Sequence, residues 1–348
     1  MPSDAASGPA FAPDFQQALD ALPQPLPGTG ARQAFAPLRV LSLTGGGYRG
    51  LFTAQALVTL CRKAGHEGAL DGAFDVFAGT SIGGLMACAL AVGIAPRQVL
   101  EAIDAHGPRV FAPRKAGTLR RLLFGTLYDS GHLSEAIDAC LGPHAATPMS
   151  AIAKGLVVPA VDWVHGRVQV FRSGFFGRAH ASDATLKQAC LATSAAPTYF
   201  EPGQIDGLPM LDGGLAVNNP DMLALMEIMR RSPASLERVE MLSLGTAGHQ
   251  PLRPAEAASR AGLQWAADLP GFIMDVQERT ASAQAGELLQ QRYLRVNHEG
   301  EPLPAFMRLD LASGEARDRL LAAARQAATA AYAAHGQQID RLFSPLRL

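Results

Sequence analysis

The order of patterns along this chain predicts an α/β fold with a mainly parallel or mixed central sheet. Short apolar runs of strand length alternate with longer helical patterns, and glycine-rich turns stand between the first of them. Bulk agrees: 348 residues, 48% hydrophobic and 18% charged, can bury a large core, which excludes a disordered chain.

Leu38 to Leu43 forms the first expected strand, bounded by Gly45-Gly46-Gly47. Leu51, Leu57, Leu60 and Cys61 then follow a helical spacing that ends at Gly65. Phe74 to Ala78 gives a second strand, and Ile82 to Val92 a second helix stopped by Gly93 and Pro96. A helical crossover joins these strands, so they are expected to pair in parallel. The uncharged stretch Val76 to Ala95 has the length of a membrane span, but Gly79 through Gly84 would break a spanning helix. A buried strand, a tight turn and a buried helix fit it better. Further strands are expected at Leu156 to Asp162, Val168 to Phe171, Val239 to Leu244 and Tyr293 to Val296. Helices are expected from Ser182, from Asn219-Pro220 with Asn as cap and Pro in the first turn, and over the Ala-rich Glu315 to Arg341. Residues 1–37 hold seven prolines and one short amphipathic patch, Phe15, Leu19 and Leu22, and read as a tail or arm. Residues 38–348 read as one domain with a C-terminal helical extension.

Thirty basic and thirty-one acidic residues give a net charge of −1, without the basic excess that duplex nucleic acid requires. Cys61, Cys88, Cys140 and Cys190 lie far apart with no CxxC spacing, so they are expected to be reduced core residues, and no metal site is expected. The first basic residue is Arg32, so the positive start of a secretion signal is missing and a cytoplasmic protein is expected.

Three motifs carry chemistry. Gly45-Gly46-Gly47-Tyr48-Arg49-Gly50 stands between strand and helix, where unencumbered amides and the helix dipole favour an anion. The letters satisfy GxGxxG, with Asp71 and Asp75 some way on as a dinucleotide-binding unit would have; the same amides would equally serve as an oxyanion hole. Gly79-Thr80-Ser81-Ile82-Gly83 has the small residues that a nucleophile elbow needs two positions either side of its serine, between a buried strand and an apolar helix. Serine needs a base. Asp212-Gly213-Gly214, after apolar Pro209-Met210-Leu211, offers a carboxylate whose proton affinity burial would raise. The rival base is His298, because Ser81, Asp212, His298 follows the chain order of an α/β-hydrolase triad. A third alternative is a nucleotide-binding sensor whose elbow is only scaffold.

Together, at these spacings, the motifs resemble the patatin-like phospholipase family over roughly Leu38 to Thr246, and the block Ala192 to Phe200 is similar to the small-residue stretch that precedes the family's Asp strand. The resemblance implies a three-layer α/β/α fold. It implies a metal-free serine acyl hydrolase of phospholipase A type acting on membrane glycerophospholipids, with Ser81 as acyl-enzyme nucleophile and Asp212 as its partner in a dyad. It also implies Gly45, Gly46 and Gly47 as oxyanion donors supported by Arg49, and Gly79 and Gly83 as the elbow glycines. The family commonly has Asp before the glycines, where this chain has Thr44. The string Leu41 to Thr53 looks most like bacterial effectors of CBASS antiphage defence, which implies activation by a cyclic dinucleotide of cGAMP type, action at the inner face of the cell membrane, and leaves homo-oligomerisation open. Two segments stand apart: basic Arg109, Arg114, Lys115, Arg120 and Arg121 among Phe111, Leu119, Leu122, Leu123 and Phe124, which suit anionic headgroups, a phosphate-bearing activator or equally a solvated loop and helix face; and apolar Trp265, Leu269, Phe272, Ile273 and Met274 around Pro270-Gly271, a lid or membrane-touching edge, with core packing as the alternative for at least half of it.

Overall fold

A computed structural model describes residues 37–114, 125–232, 236–248, 262–298 and 308–345. The expected arm and most of the basic stretch, Lys115 to Phe124, lie outside the described residues.

In chain order the strands and main helices are β1 (Leu38–Leu43), α1 (Gly50–Lys63), β2 (Val76–Gly79), α2 (Ile82–Ala91), α3 (Pro96–Val110) and α4 (Ser130–Leu141). β3 (Gly155–Asp162), β4 (Arg167–Arg172), α5 (Leu186–Thr193), β5 (Gly203–Ile205) and β6 (Leu208–Asp212) follow. α6 (Asp221–Arg231), β7 (Val239–Leu244), α7 (Gly262–Leu289), β8 (Tyr293–Val296) and α8 (Gly314–Phe343) complete the set. The sheet is mixed: β3, β2, β1, β7 and β8 pair in parallel, and β4, β6 and β5 add antiparallel at the β3 side.

Alternation along the strands separates two cores, one on each face. Leu41, Leu43, Phe77, Leu242 and Leu244 pack with α1, α2, α3, α4, α5 and α8, whereas Val40, Val76, Ala78 and Met241 pack with α6 and the end of α7. This is the expected three-layer arrangement. α2 is buried all round, with Leu85 through Leu90 each at most 5% exposed, which is why its stretch reads as membrane-like. Among the described residues no helix is long and apolar enough to cross a membrane. All four cysteines are free and buried in helices.

The helix expected at Ser182 starts later. Thr185 caps α5 and Gln188 returns the bond to the Thr185 amide, while Ser182 stays beside β4, its Oγ accepting the Arg172 amide. α6 likewise begins at Asp221 with Pro220 at the cap, because Asn219 Oδ1 accepts the Asp221 amide in a local turn.

One feature of register prepares the site. β4 covers residues 157–162 along one edge of β3, so β2 and β6 must share the other, β2 opposite 155–157 and β6 opposite 160–162. The two strands run toward each other, and their C-terminal ends meet head on. Pro159 lies at the gap, where it has no N–H to leave unpaired, and its carbonyl accepts Thr193 Oγ1 at 2.5 Å.

Candidate active site

The turn after β2 is a strained elbow. Ser81 has φ 53° and ψ −123°, a conformation costly to an L-residue, and it caps α2. A Cβ on Gly79 would stand 2.0 Å from the Gly83 carbonyl oxygen, and one on Gly83 would stand 2.2 Å from that of Leu43, so only glycine lets the chain double back here. The Ser81 amide donates to Thr193 Oγ1 at 3.0 Å, which continues to Pro159. Thr80 Oγ1 donates to the Val217 carbonyl at 2.7 Å. These bonds tie the elbow to the segments on either side of Asp212.

Ser81 Oγ donates to Asp212 Oδ2 at 2.8 Å. Asp212 is 8% exposed; its other oxygen accepts the Gly214 amide at 2.7 Å, and its own amide donates to the Ala195 carbonyl at 2.9 Å. Burial pushes its carboxyl up to about 6, against the opposing pull of Gly214 and Ser81, and among the described residues no cation offsets it. Gly213 is a steric requirement: a Cβ there would meet the Pro159 carbonyl oxygen at 2.3 Å. This acid is therefore held next to the hydroxyl and able to take a proton near neutral pH.

The glycine loop faces the same space, but its amides are unequal. Gly45 donates to the Asn218 carbonyl at 3.0 Å and Tyr48 to the Leu309 carbonyl at 2.7 Å, whereas the Gly46 and Gly47 amides have no bond among the described residues. Gly46 and Gly47 line a pocket with Ser81 and Asp212, so of the three expected donors two stand unbonded at its wall and Gly45 does not. Gly47 has φ 57° and touches Leu309, so a side chain is excluded there twice over. Arg49 is buried behind the loop against Gly248 and does not line the pocket; burial lowers its pKa while Glu278 and Asp275 oppose that. Thr44, standing where the resemblance expects Asp, accepts from Arg295 at 2.9 Å, and Arg295 already has its counter-charge in Glu278 at 2.5 Å. A second carboxylate at position 44 is thus not required for charge balance.

The pocket encloses about 280 Å³, and its wall beyond Ser81 is apolar, with Leu85, Ile103, Val110, Phe111, Leu133 and Phe200 among its members. A wall of this kind suits an apolar ligand. His298 does not join it: it lines a different cavity, of about 480 Å³, with Arg295, Gln326 and His335. His106 of α3 does line the Ser81 pocket, though the Ser81 hydroxyl is bonded to Asp212. Sequence reasoning passed over His106, Thr193, Asn218 and Leu309. Of Arg109 and Arg114, the described part of the basic stretch, the first pairs with Glu135 and the second with Asp129 and Glu201. Among the described residues no cluster of His, Cys, Asp and Glu could hold a metal ion.

The family model described as patatin, patatin-like phospholipase, matches residues 41–225. Similar proteins include one named cGAMP-activated phospholipase in Vibrio cholerae, 34% identical over 65% of this chain and 69% of its own length. Two more of that name occur in Escherichia coli, 35% identical over 61% of this chain and 62% of its own length, and in Pseudomonas aeruginosa, 30% identical over 76% and 79%.

Proposed function

The chain belongs to the patatin-like phospholipase family, hydrolases that act on ester bonds, and from that premise we propose that it releases fatty acid from membrane glycerophospholipids through a Ser81–Asp212 dyad. The observation that carries this is the 2.8 Å bond from Ser81 Oγ to a buried carboxylate that has no cation among the described residues, in a largely apolar pocket that two amides unbonded among those residues also line. Ser81 Oγ attacks the acyl carbonyl as Asp212 takes its proton, and the amides of Gly46 and Gly47 stabilise the oxyanion. Asp212 then gives that proton to the departing alcohol of the lysolipid. Water attacks the acyl-serine, losing a proton to Asp212, and fatty acid leaves as the proton returns to Ser81 Oγ.

The names of the relatives support a further part of this reading, activation by a cyclic dinucleotide of cGAMP type; to it we add a role in antiphage defence, with the enzyme acting from the cytoplasm on the inner face of the membrane. The test is fatty-acid release from phosphatidylethanolamine–phosphatidylglycerol vesicles with and without cGAMP. Native protein should act when cGAMP is added, Ser81→Ala and Asp212→Ala should fall by about 10³-fold or more, and His298→Asn should stay within about twofold of native. Activity retained by either dyad variant refutes the dyad, and equal activity without the nucleotide refutes the activation.

A further inference from the structure

α7 is inside out along its middle turns. Glu278 is buried at 6% exposure, paired with Arg295, while Leu269, Ile273 and Val276 are 43%, 42% and 47% exposed. Their spacing of four and three residues puts all three on one face, so they make a stripe and not scattered surface residues. An apolar stripe in water is unfavourable unless something covers it. The stripe comes beside the rim of the Ser81 pocket at its Ile273 edge: Gln277, one turn on from Ile273, donates Nε2 to the Leu215 carbonyl at 3.1 Å, while Met274, turned about 100° further round the helix, lines the pocket and approaches Gly214. Leu215 itself lines the pocket and is 45% exposed, so an exposed apolar lip of the chamber stands beside the helix at Gln277, next to Ile273.

We propose that the Leu269–Ile273–Val276 face of α7 is a lipid-docking surface, seated in the bilayer interface so that an acyl chain passes from membrane to pocket without crossing water. The proposal rests on the lipid-ester reading of Ser81, since it is the nearness of the stripe to that pocket that selects a lipid surface over a protein partner. The stripe carries no charge, so attachment comes from apolar insertion and depends little on anionic lipid.

The experiment uses the triple variant Leu269→Gln/Ile273→Gln/Val276→Gln, three exposed positions that do not line the pocket, with and without cGAMP. In a Ser81→Ala background, so that vesicles stay intact, sedimentation with phosphatidylethanolamine–phosphatidylglycerol vesicles should weaken at least tenfold in the triple variant. With Ser81 present, hydrolysis of water-soluble p-nitrophenyl butyrate should stay within about twofold of native while release from vesicles falls at least tenfold. Equal vesicle affinity with and without the stripe, or no vesicle binding by the Ser81→Ala protein, overturns the proposal. So does a triple variant that turns a lipid-free dimer into a monomer, which would make the face a contact between copies of this chain. Failure of the catalytic reading looks different: native protein would cleave neither ester, and the sedimentation comparison would still decide the docking surface.

Discussion

Two buried carboxylates in this molecule are treated in opposite ways. Glu227, at 5% exposure, receives Arg172 in a two-pronged bond of 2.6 and 2.8 Å and Arg231 at 2.7 Å. Burial alone would push its pKa up, yet the two guanidinium groups outweigh it and hold the carboxyl below its usual value. Asp212, equally enclosed, has an amide and a hydroxyl for partners and no cation among the described residues, so burial wins and the carboxyl rises to about 6. The difference separates a charge kept permanently for structure from one left free to change. A carboxylate neutralised by two arginines is a poor proton acceptor; one left short of compensation is a good one, and the fold pays for it in stability.

Asp212→Asn tests that most severely. Activity should fall by about 10³-fold or more, because the amide cannot accept the Ser81 proton. Stability should move the other way. A displacement from 3.8 to about 6 corresponds to about 3 kcal/mol of cost when the group is ionised, and weaker bonds to Gly214 and Ser81 in the variant leave a net gain of about 1–3 kcal/mol. The sign with pH follows from the raised value. Between about pH 4 and 6 the folded state holds a proton that the unfolded state has lost, so native stability declines as pH rises through that window. The melting temperatures of native and variant should therefore converge near pH 4 and separate by several degrees at pH 7. In the native enzyme kcat/KM should rise with pH and reach half its plateau near pH 6. A variant less stable than native at pH 7 would show that the acid is not strained as described.

Arg172→Met breaks the comparison from the other side. Arg231 would remain on Glu227, so the expected loss is about 2–3 kcal/mol, less than for a fully orphaned buried charge. The loss should lessen as pH falls below the normal carboxylate range, because a depressed pKa contributes stability above that range and loses it below. Activity per folded molecule should not change, as Arg172 and Glu227 do not line the Ser81 pocket. Urea titration at two pH values and an assay normalised to folded protein check both halves.

The same contrast governs how much was legible in the sequence. The three motifs could be read because each leaves a compact signature: Gly79 clears the Gly83 carbonyl within one turn, Gly83 clears the end of β1 at Leu43, and Gly213 stands beside the acid it positions. What joins them could not. The bond that orients Ser81 comes from Thr193, 112 residues away, and the register that aims β6 at β2 is a property of β3. Gly45 looked equal to its two neighbours because three identical letters carry no sign of which amide Asn218 will occupy. His298 was a credible base by chain order, but order along the chain does not show that β8 delivers it to another cavity.

Thr193 makes the smallest test, since it touches neither the reacting proton nor any charge. Its hydroxyl links the Ser81 amide to the Pro159 carbonyl, and Thr193→Val keeps the shape while leaving a buried donor and acceptor unmatched. The stability cost should be about 1–3 kcal/mol. If the hydroxyl also holds the strained φ of Ser81, kcat should drop about tenfold with KM little changed, because a misplaced nucleophile affects the reacting geometry more than acyl-chain binding. Thr193→Ser, which retains the hydroxyl, should restore most of kcat. A valine variant that loses stability but keeps native kcat would mean that β3 and the elbow glycines alone suffice to hold the serine, and the comparison would then reduce to the two acids.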